Sequence, residues 1–456
     1  MDAYTRDTAS PLGERFTGQL LQRGEAGYED ARRLHNGLID RQPALIARCA
    51  TTADVVAAVQ FARTAGLSIT VRGGGHGVAG LAVADGAMMI DLSRMRRIDV
   101  DAEARTATAE GGALWSDLDA ATQRHGLATT GGVVSTTGVA GLTLGGGWGW
   151  LAGTHGLAVD NLLAVDIVTA DGHLRTASAD EHRDLFWAVR GGGAGLGVVV
   201  SFRFRLQPVG PTIVGGLVAH PLAEAPAVLR LHRQVTASAP DELSVSAALL
   251  SAPDGTKLVA LAGCYVGDLE AGHDAMQALR EFGTPVMSTV GPIGYPAMNA
   301  LLDASFPAGA LNYWKSRFLD TLEDDAIATL VGRFATCPSP MSAVVLDHWH
   351  GAATRVAPGA TAFPHRRVGH SLLMLSQWRD LADTERNVAW TRDTYAAMGP
   401  HTLAARYVNF LDRDDLGAGE LTEAYGDNQP RLAAVRMTYD PTSLFHANAS
   451  ARPITR

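Results

Sequence analysis

The sequence predicts an α+β protein of more than one domain, and three observations carry that expectation. At 456 residues the chain is too long for one simple core. Its glycines bunch in the first half, at 73–77, 131–132, 138–149 and 191–197. Up to about residue 206 short strand and helix patterns interleave, whereas from 211 to 400 longer strands alternate with helices. Composition agrees, since 46% hydrophobic and 19% charged residues mark a globular chain and not a disordered one.

Taken in order, Thr51 and Thr52 offer caps for a helix whose apolar face is Val55, Val56, Val59 and Ala62. Gly66 stops it. A strand at 68–71 then runs into the first glycine cluster. Alternation at 97–100 and 106–109 suggests a hairpin. Residues 113–125 read as a helix closed by Gly126, and 162–169 as a strand entering the Asp171-Gly172 turn. A helix at 180–190 and a strand at 198–206 complete this half.

Beyond it, strands at 243–250, 257–266, 343–350 and 370–378 alternate with helices near 267–282, 321–335 and 383–398. That pattern suggests an antiparallel sheet backed by helices. In Arg406-Tyr407-Val408-Asn409-Phe410-Leu411-Asp412, strand alternation would put Tyr407 and Asn409 on one face. A last helix starts at Pro430 and ends at Tyr439-Asp440-Pro441.

Several function classes are set aside. Net charge is −9 with no basic block, so nucleic acid is not an expected partner. No apolar run approaches the roughly 18 residues that span a bilayer. The start, Met1-Asp2-Ala3-Tyr4-Thr5-Arg6-Asp7, has no apolar signal core, so a cytoplasmic location is expected. Cys49, Cys264 and Cys337 are neither a disulfide framework nor a zinc cluster. His348-Trp349-His350 could place two imidazoles on one strand face. A third ligand would have to come from His365 or His370, and no metal site is expected.

The segment with most chemistry is Val71-Arg72-Gly73-Gly74-Gly75-His76-Gly77. Successive glycines let the backbone approach a ligand and aim N–H groups at it, which suits a pyrophosphate. A nucleophilic imidazole among them suits attachment to a cofactor ring. Residues 75–80 formally match a dinucleotide fingerprint. That motif must open a helix, and 81–91 has a strand-like pattern instead.

Further segments follow in order: the glycine-dense stretch 130–149, Gly156-Leu157-Ala158-Val159-Asp160-Asn161, the run 184–193 ending in Gly191-Gly192-Gly193, residues 406–412, and Tyr425-Gly426-Asp427-Asn428. Together with the His76 cluster they resemble the berberine bridge enzyme-like family of the vanillyl-alcohol oxidase (PCMH) superfamily. The resemblance spans nearly the whole chain and is closest at 40–206 and 400–450. It implies a PCMH-type FAD-binding domain of two α+β subdomains over 1–210, with its core from about 38. An antiparallel-sheet substrate domain over 211–400 and a returning segment over 401–456 complete the expected plan. Two departures stand out: Gly195-Leu196-Gly197 replaces the usual Gly-Asn-Phe-Gly turn, and Phe410 replaces a second tyrosine.

The same resemblance implies the site. FAD would be bonded covalently to His76, with Arg72, Gly73, Gly74, Gly75 and Gly77 beside it. The second loop would contribute Gly132, Val134, Thr137, Gly138, Gly141, Leu142, Gly145 and Gly147. Asp160, Gly197, Val198, Asn409 and Asn448 complete the implied cofactor set. Val134 stands where bicovalent relatives carry cysteine, so one tether is expected. Gly132 stands where some relatives carry a bulkier gatekeeper, which would leave room for dioxygen.

Tyr407 would take the proton from a substrate hydroxyl. A phenol with a pKa of ~10 needs a cation or hydrogen bonds to serve at neutral pH. Lys315, within Asn312-Tyr313-Trp314-Lys315-Ser316-Arg317-Phe318, is the candidate helper, with Tyr313 and Arg317 on its face. A buried structural tyrosine and a surface lysine are the plainer reading of the same residues. Tyr313 or Tyr425 could stand in for the missing second tyrosine. The implied reaction is oxidation of a hydroxyl-bearing small molecule, a sugar or natural-product alcohol, by hydride transfer to flavin N5, with dioxygen reduced to hydrogen peroxide. A monomer or homodimer is expected. Two alternatives remain: an amine or C–H oxidase, which would need a carboxylate base in place of Tyr407, and a non-catalytic flavin-binding protein.

Overall fold

The computed structural model describes residues 12–13 and 16–445. The N-terminal heptapeptide and Asn448 therefore lie outside the described residues. Among those described, no helix is long and apolar enough to cross a membrane.

In the first sheet, Leu45–Arg48, Met88–Asp91 and Ile69–Arg72 run parallel, and Gln19–Leu21 joins the edge antiparallel. Helix Thr52–Ala65 makes the crossover. Its start is a capping box in which Thr51 Oγ1 accepts from Asp54 N and the Asp54 carboxylate accepts from Thr51 N. It ends where Gly66 turns left-handed at φ 67°. Val55, Ala58, Val59 and Ala62 are fully buried against Ile69, Met88 and Ile90. Strand Ile69–Arg72 delivers the glycine cluster at its end, and no helix follows before Met88. The dinucleotide-fold reading fails on that absence.

The second sheet is antiparallel, in the order Ile98–Asp101, Thr106–Glu110, Val198–Arg205, Leu162–Val168, Leu174–Ser178. Trp115, Phe202 and Phe204 fill its core under helix Trp115–Gln123. The helix expected over 180–190 is shorter, Arg183–Val189.

The third sheet has eight strands, all paired antiparallel. Its central part runs Lys257–Tyr265, Leu243–Ser251, Ala343–Trp349, Gly369–Trp378, Leu311–Leu319. Strand Gly369–Trp378 is buried along its whole length, so the sheet is covered on both faces. On one face Leu346, Leu372 and Met374 pack with Leu229, Leu330 and Phe334 from helices Ala225–Ala237 and Asp324–Ala335. On the other, Trp314, Leu373 and Leu375 meet Val78, just past the glycine cluster. Strand periodicity assigns each side chain to one of these faces, and a one-residue slip would exchange them. The helix expected over 267–282 is two short ones, Leu269–Ala275 and Gln277–Glu281.

The chain then returns to the first half. Helix Gln429–Tyr439 carries Arg436, whose Nη2 donates to Gly192 O at 2.6 Å, and Ile69 N donates to Leu444 O at 2.7 Å. One element departs from expectation. Residues 406–412 are not a strand: Val408–Phe410 is a single tight 3-10 turn. The Asp412 carboxylate accepts from Trp314 N and Arg413 N, and Asp415 accepts from Asp412 N. Local carboxylate bonds of this kind satisfy backbone groups that a sheet ladder would otherwise hold.

Candidate active site

Two glycine loops form the base of the site, and their glycines serve two different ends. A Cβ on Gly74 would lie 2.6 Å from Gly138 N and Cα, and one on Gly138 would lie 2.5 Å from Gly74 N. These two residues let the loops touch. Gly73 is pressed against Gly111 O, and Gly75 and Gly147 hold left-handed φ values of 70° and 85°. At Gly77 and Gly141, by contrast, a Cβ would meet no protein atom within 4 Å. Those two border open space. Gly145 is bare because the Asn409 amide sits where its Cβ would be, and Asn409 Nδ2 donates to Leu142 O at 2.9 Å. Gly132 accommodates Leu142 Cδ1, 2.9 Å from the Cβ position, so the room read there for dioxygen is filled from within the protein.

His76 stands in this cradle, half-buried, with its Nε2 buried and lacking any partner. Burial, reinforced by the neighbouring His35, pushes its pKa down to about 3. The ring is therefore neutral at physiological pH, with a lone pair free. Arg72 Nη1 donates to Ala31 O at 2.7 Å. Val134 and Thr137 shape the second loop, in which Thr137 N donates to Val134 O and Ser135 N and Oγ both donate to Asp303. Asp160 holds Arg366 at 2.7 and 2.8 Å and accepts from Leu157 N. Gly197 is pressed against Val168 O, and Val198 is fully buried.

Tyr407 reaches this cradle from the C-terminal segment. Its hydroxyl oxygen accepts from Gly147 N at 2.9 Å, Trp148 N at 3.1 Å and Asn409 Nδ2 at 3.0 Å. Burial raises its pKa above the ordinary phenol value, while these three donors pull the other way. A neutral hydroxyl has no more than two lone pairs for such donors, so three N–H groups match a phenolate better. Tyr407 and Asn409 thus come together as expected, through a turn and not through strand alternation.

Lys315, Tyr313 and Arg317 do share a face, but it is the face away from the cradle. Lys315 Nζ binds Asp414 and Asp415. Tyr313 OH donates to Asp414 at 2.6 Å and accepts from Arg392 Nε at 2.9 Å. Lys315 is therefore not the partner of the Tyr407 hydroxyl. Tyr425 is likewise engaged, donating to Gly192 O at 3.0 Å. The face turned to the cradle carries Trp314, Ser316 and Phe318, with Trp314 6.1 Å from the Phe410 ring and Phe410 4.8 Å from the Tyr407 ring.

Sequence reasoning missed the polar side chains of that face. Asp347 lies opposite Ser371 on one neighbouring strand and Ser246 on the other. Its carboxylate accepts from Ser246 Oγ at 2.9 Å. Burial raises the Asp347 carboxyl to about 7, only partly offset by that bond, and its charge acts on Tyr407. Ser316 Oγ and Ser371 Oγ are buried without partners. The signal was available only as register: Asp347 is two residues before Trp349, whose ring is 5.6 Å from that of Tyr407. His348 points to the helix side, stacked on His350 at 4.1 Å and 5.7 Å from His370. Among the described residues no group of three or more His, Cys, Asp or Glu is placed to hold a metal ion.

Comparison with known proteins identifies the family and its cofactor. Residues 43–178 match the FAD binding domain model, and residues 406–452 match the berberine and berberine-like model. The chain is 30% identical to the (R)-6-hydroxynicotine oxidase of Paenarthrobacter nicotinovorans over 460 residues, covering 98% of each. The chain belongs to the berberine bridge enzyme-like family of FAD-linked oxidases. It is also 27% identical to the xylooligosaccharide oxidase of Thermothelomyces thermophilus, over 92% of this chain and 89% of that one. The crystal structure of 6-hydroxy-D-nicotine oxidase from Arthrobacter nicotinovorans superposes with a TM-score of 0.86 at 28% identity, covering 96% and 98% of the two chains. As an FAD-dependent oxidase, the protein has residues that fit its cofactor: a half-buried neutral imidazole with a buried, orphaned nitrogen, beside glycines that open onto free space.

Proposed function

We propose that this oxidase carries FAD tethered through His76 and removes hydride from a carbon bearing a hydroxyl, with Tyr407 taking the hydroxyl proton. The observation that carries this reading is the trio of N–H donors on the Tyr407 oxygen. FAD, when bound, accepts the hydride at N5 and passes the electrons to dioxygen, giving hydrogen peroxide. Backbone N–H groups near 73–77 and 138–141 would hold its pyrophosphate, those of Gly145, Gly146 and Gly147 being bonded to Leu142 O, Thr143 O and the Tyr407 hydroxyl, and the His76 lone pair would anchor its ring. The three donors favour the phenolate form of Tyr407, the form able to act as base, and the proton it takes neutralises that charge. The aromatic and aliphatic wall of Trp314, Leu373, Leu375 and Phe410 excludes water and favours a ring-bearing natural-product alcohol over a sugar. The relatives' names, one after an alkaloid and one after an oligosaccharide, bracket that choice.

A second reading rests on Asp347. A carboxyl at about 7 on the substrate face is matched to proton transfer near neutral pH, which is what an amine or C–H oxidase requires. Anaerobic bleaching of the flavin separates the two. Tyr407→Phe is expected to slow reduction by an alcohol ~10²–10⁴-fold while FAD stays bound. Should Asp347→Asn produce that loss and Tyr407→Phe leave the rate unchanged, the amine or C–H reading replaces the alcohol one. Under the second reading the rate rises with pH through about 7, because the ionised carboxylate is the active form, and Asp347→Asn removes that rise. For the tether, acid precipitation should leave flavin fluorescence in the pellet, and His76→Ala should move it to the supernatant.

A further inference from the structure

We propose that His35 is a positioning residue for cofactor attachment, a flat platform that fixes the plane of the His76 ring. The proposal rests on the reading that His76 carries the tether. The two imidazoles are stacked, with centroids 3.8 Å apart and planes inclined by 20°. Such a stack leaves the ring edge of His76, where its nitrogens lie, as the part free to react, and it blocks one face.

The platform is built rigidly. His35 N donates to Gly75 O at 3.0 Å, bonding it to the residue before His76, and its own carbonyl accepts from Gly309 N at 2.9 Å. The next residue, Asn36, is buried and donates from Nδ2 to Val78 O at 2.9 Å and to Asn312 O at 3.0 Å. Its Oδ1 accepts from Asn312 N at 2.9 Å. Residues 35 and 36 therefore brace the glycine cluster on both sides of His76 and tie it to strand Leu311–Leu319. The Phe306 ring lies tilted nearby, with its centroid 6.4 Å from that of His76. Nε2 of both histidines lacks a partner, so the contact between them is ring on ring and not a hydrogen bond.

Attachment joins a His76 ring nitrogen to a methyl carbon of the FAD ring system. The imidazole N–H and one methyl C–H are lost, and their two protons and two electrons pass to the flavin ring system. Dioxygen then removes them as hydrogen peroxide. Such a bond forms fast only when the nitrogen is held in line with the carbon, and misplacement by about 1 Å costs on the order of 100-fold.

The test uses full-length protein produced under riboflavin limitation, then mixed with FAD. Covalent incorporation is followed as acid-stable flavin fluorescence, and reversible FAD binding is measured separately. His35→Ala is expected to slow incorporation on the order of 10- to 100-fold at saturating FAD, and His35→Phe, which keeps a flat ring, should restore most of the rate. Incorporation by His35→Ala at the wild-type rate overturns the proposal. So does a deficit that saturating FAD abolishes, or one that His35→Phe shares in full. Acid-stable flavin in His76→Ala would instead overturn the tether itself, whatever the His35 variants do.

Discussion

The glycine loops and the large sheet face one another across the site, yet they are made in opposite ways. The loop side is made of backbone: Gly73, Gly74 and Gly138 sit in near-contacts that a Cβ would disturb, whereas Gly77 and Gly141 border open space. The sheet side is made of side chains: Ser316, Ser371, Asp347 and Ser246 come from four adjacent strands and share one face. A cofactor common to a family can be held by main chain, whose geometry changes little with sequence. A substrate that differs among relatives is met by side chains on a scaffold that tolerates their exchange.

The largest effect should come from breaking the loop side. Gly74→Ala places a Cβ 2.6 Å from Gly138 N and Cα, atoms of a backbone that has no rotamer to move. The expected cost is about 3 kcal/mol together with loss of bound flavin, read by thermal denaturation and by absorbance of the purified protein. A yellow Gly74→Ala protein of wild-type stability would show that the two loops do not need this contact.

Next comes Lys315. It is buried, and its Nζ serves Asp414 and Asp415 in a network that continues through Arg406 to Glu423. Lys315→Met leaves carboxylates short of a partner, for an expected loss of about 3 kcal/mol. If Lys315 only braces the C-terminal segment, the pH dependence of flavin reduction stays as in the wild type. A displaced pH profile would return it to the chemistry of Tyr407.

The same contrast governs what could be read in advance. Glycine clusters are contiguous in sequence, so the family, its FAD and the parent fold were legible from residues 71–77 and 130–149. Tyr407 was legible because its segment carries a local motif, although the Asp412 and Asp415 bonds that turn 406–412 away from a strand were not. Lys315 shows the limit: alternation correctly grouped it with Tyr313 and Arg317 but could not tell which face met the flavin side. Asp347 was invisible for the same reason. Its meaning depends on the register of three strands far apart in sequence, Leu243–Ser251, Ala343–Trp349 and Gly369–Trp378, and on the Ser246 bond between two of them.

A milder substitution separates the two kinds of glycine. Gly141 lies in the short helix Val139–Leu144, and a Cβ there meets no protein atom. Gly141→Ala should stabilise the flavin-free protein by roughly 0.5–1 kcal/mol, because alanine is the better helix former. It should also weaken FAD binding, since the open space it enters is where the cofactor is proposed to lie. Stabilisation with unchanged FAD affinity would mean that this face of the helix is not part of the cradle.

The smallest effect belongs to the sheet. Ser371 Oγ is buried and unpartnered, an arrangement that costs free energy in the protein alone. Ser371→Ala should therefore hold or slightly raise stability. If the hydroxyl awaits a substrate group, the same change should cost about 1 kcal/mol of binding, a roughly fivefold rise in KM. Because Ser371 stands beside Asp347 and not at the Tyr407 hydroxyl, kcat should stay near the wild-type value. A fall in kcat at constant KM would instead place Ser371 in contact with the reacting atoms, and the division between a backbone-built cofactor side and a side-chain-built substrate side would have to be redrawn to include it.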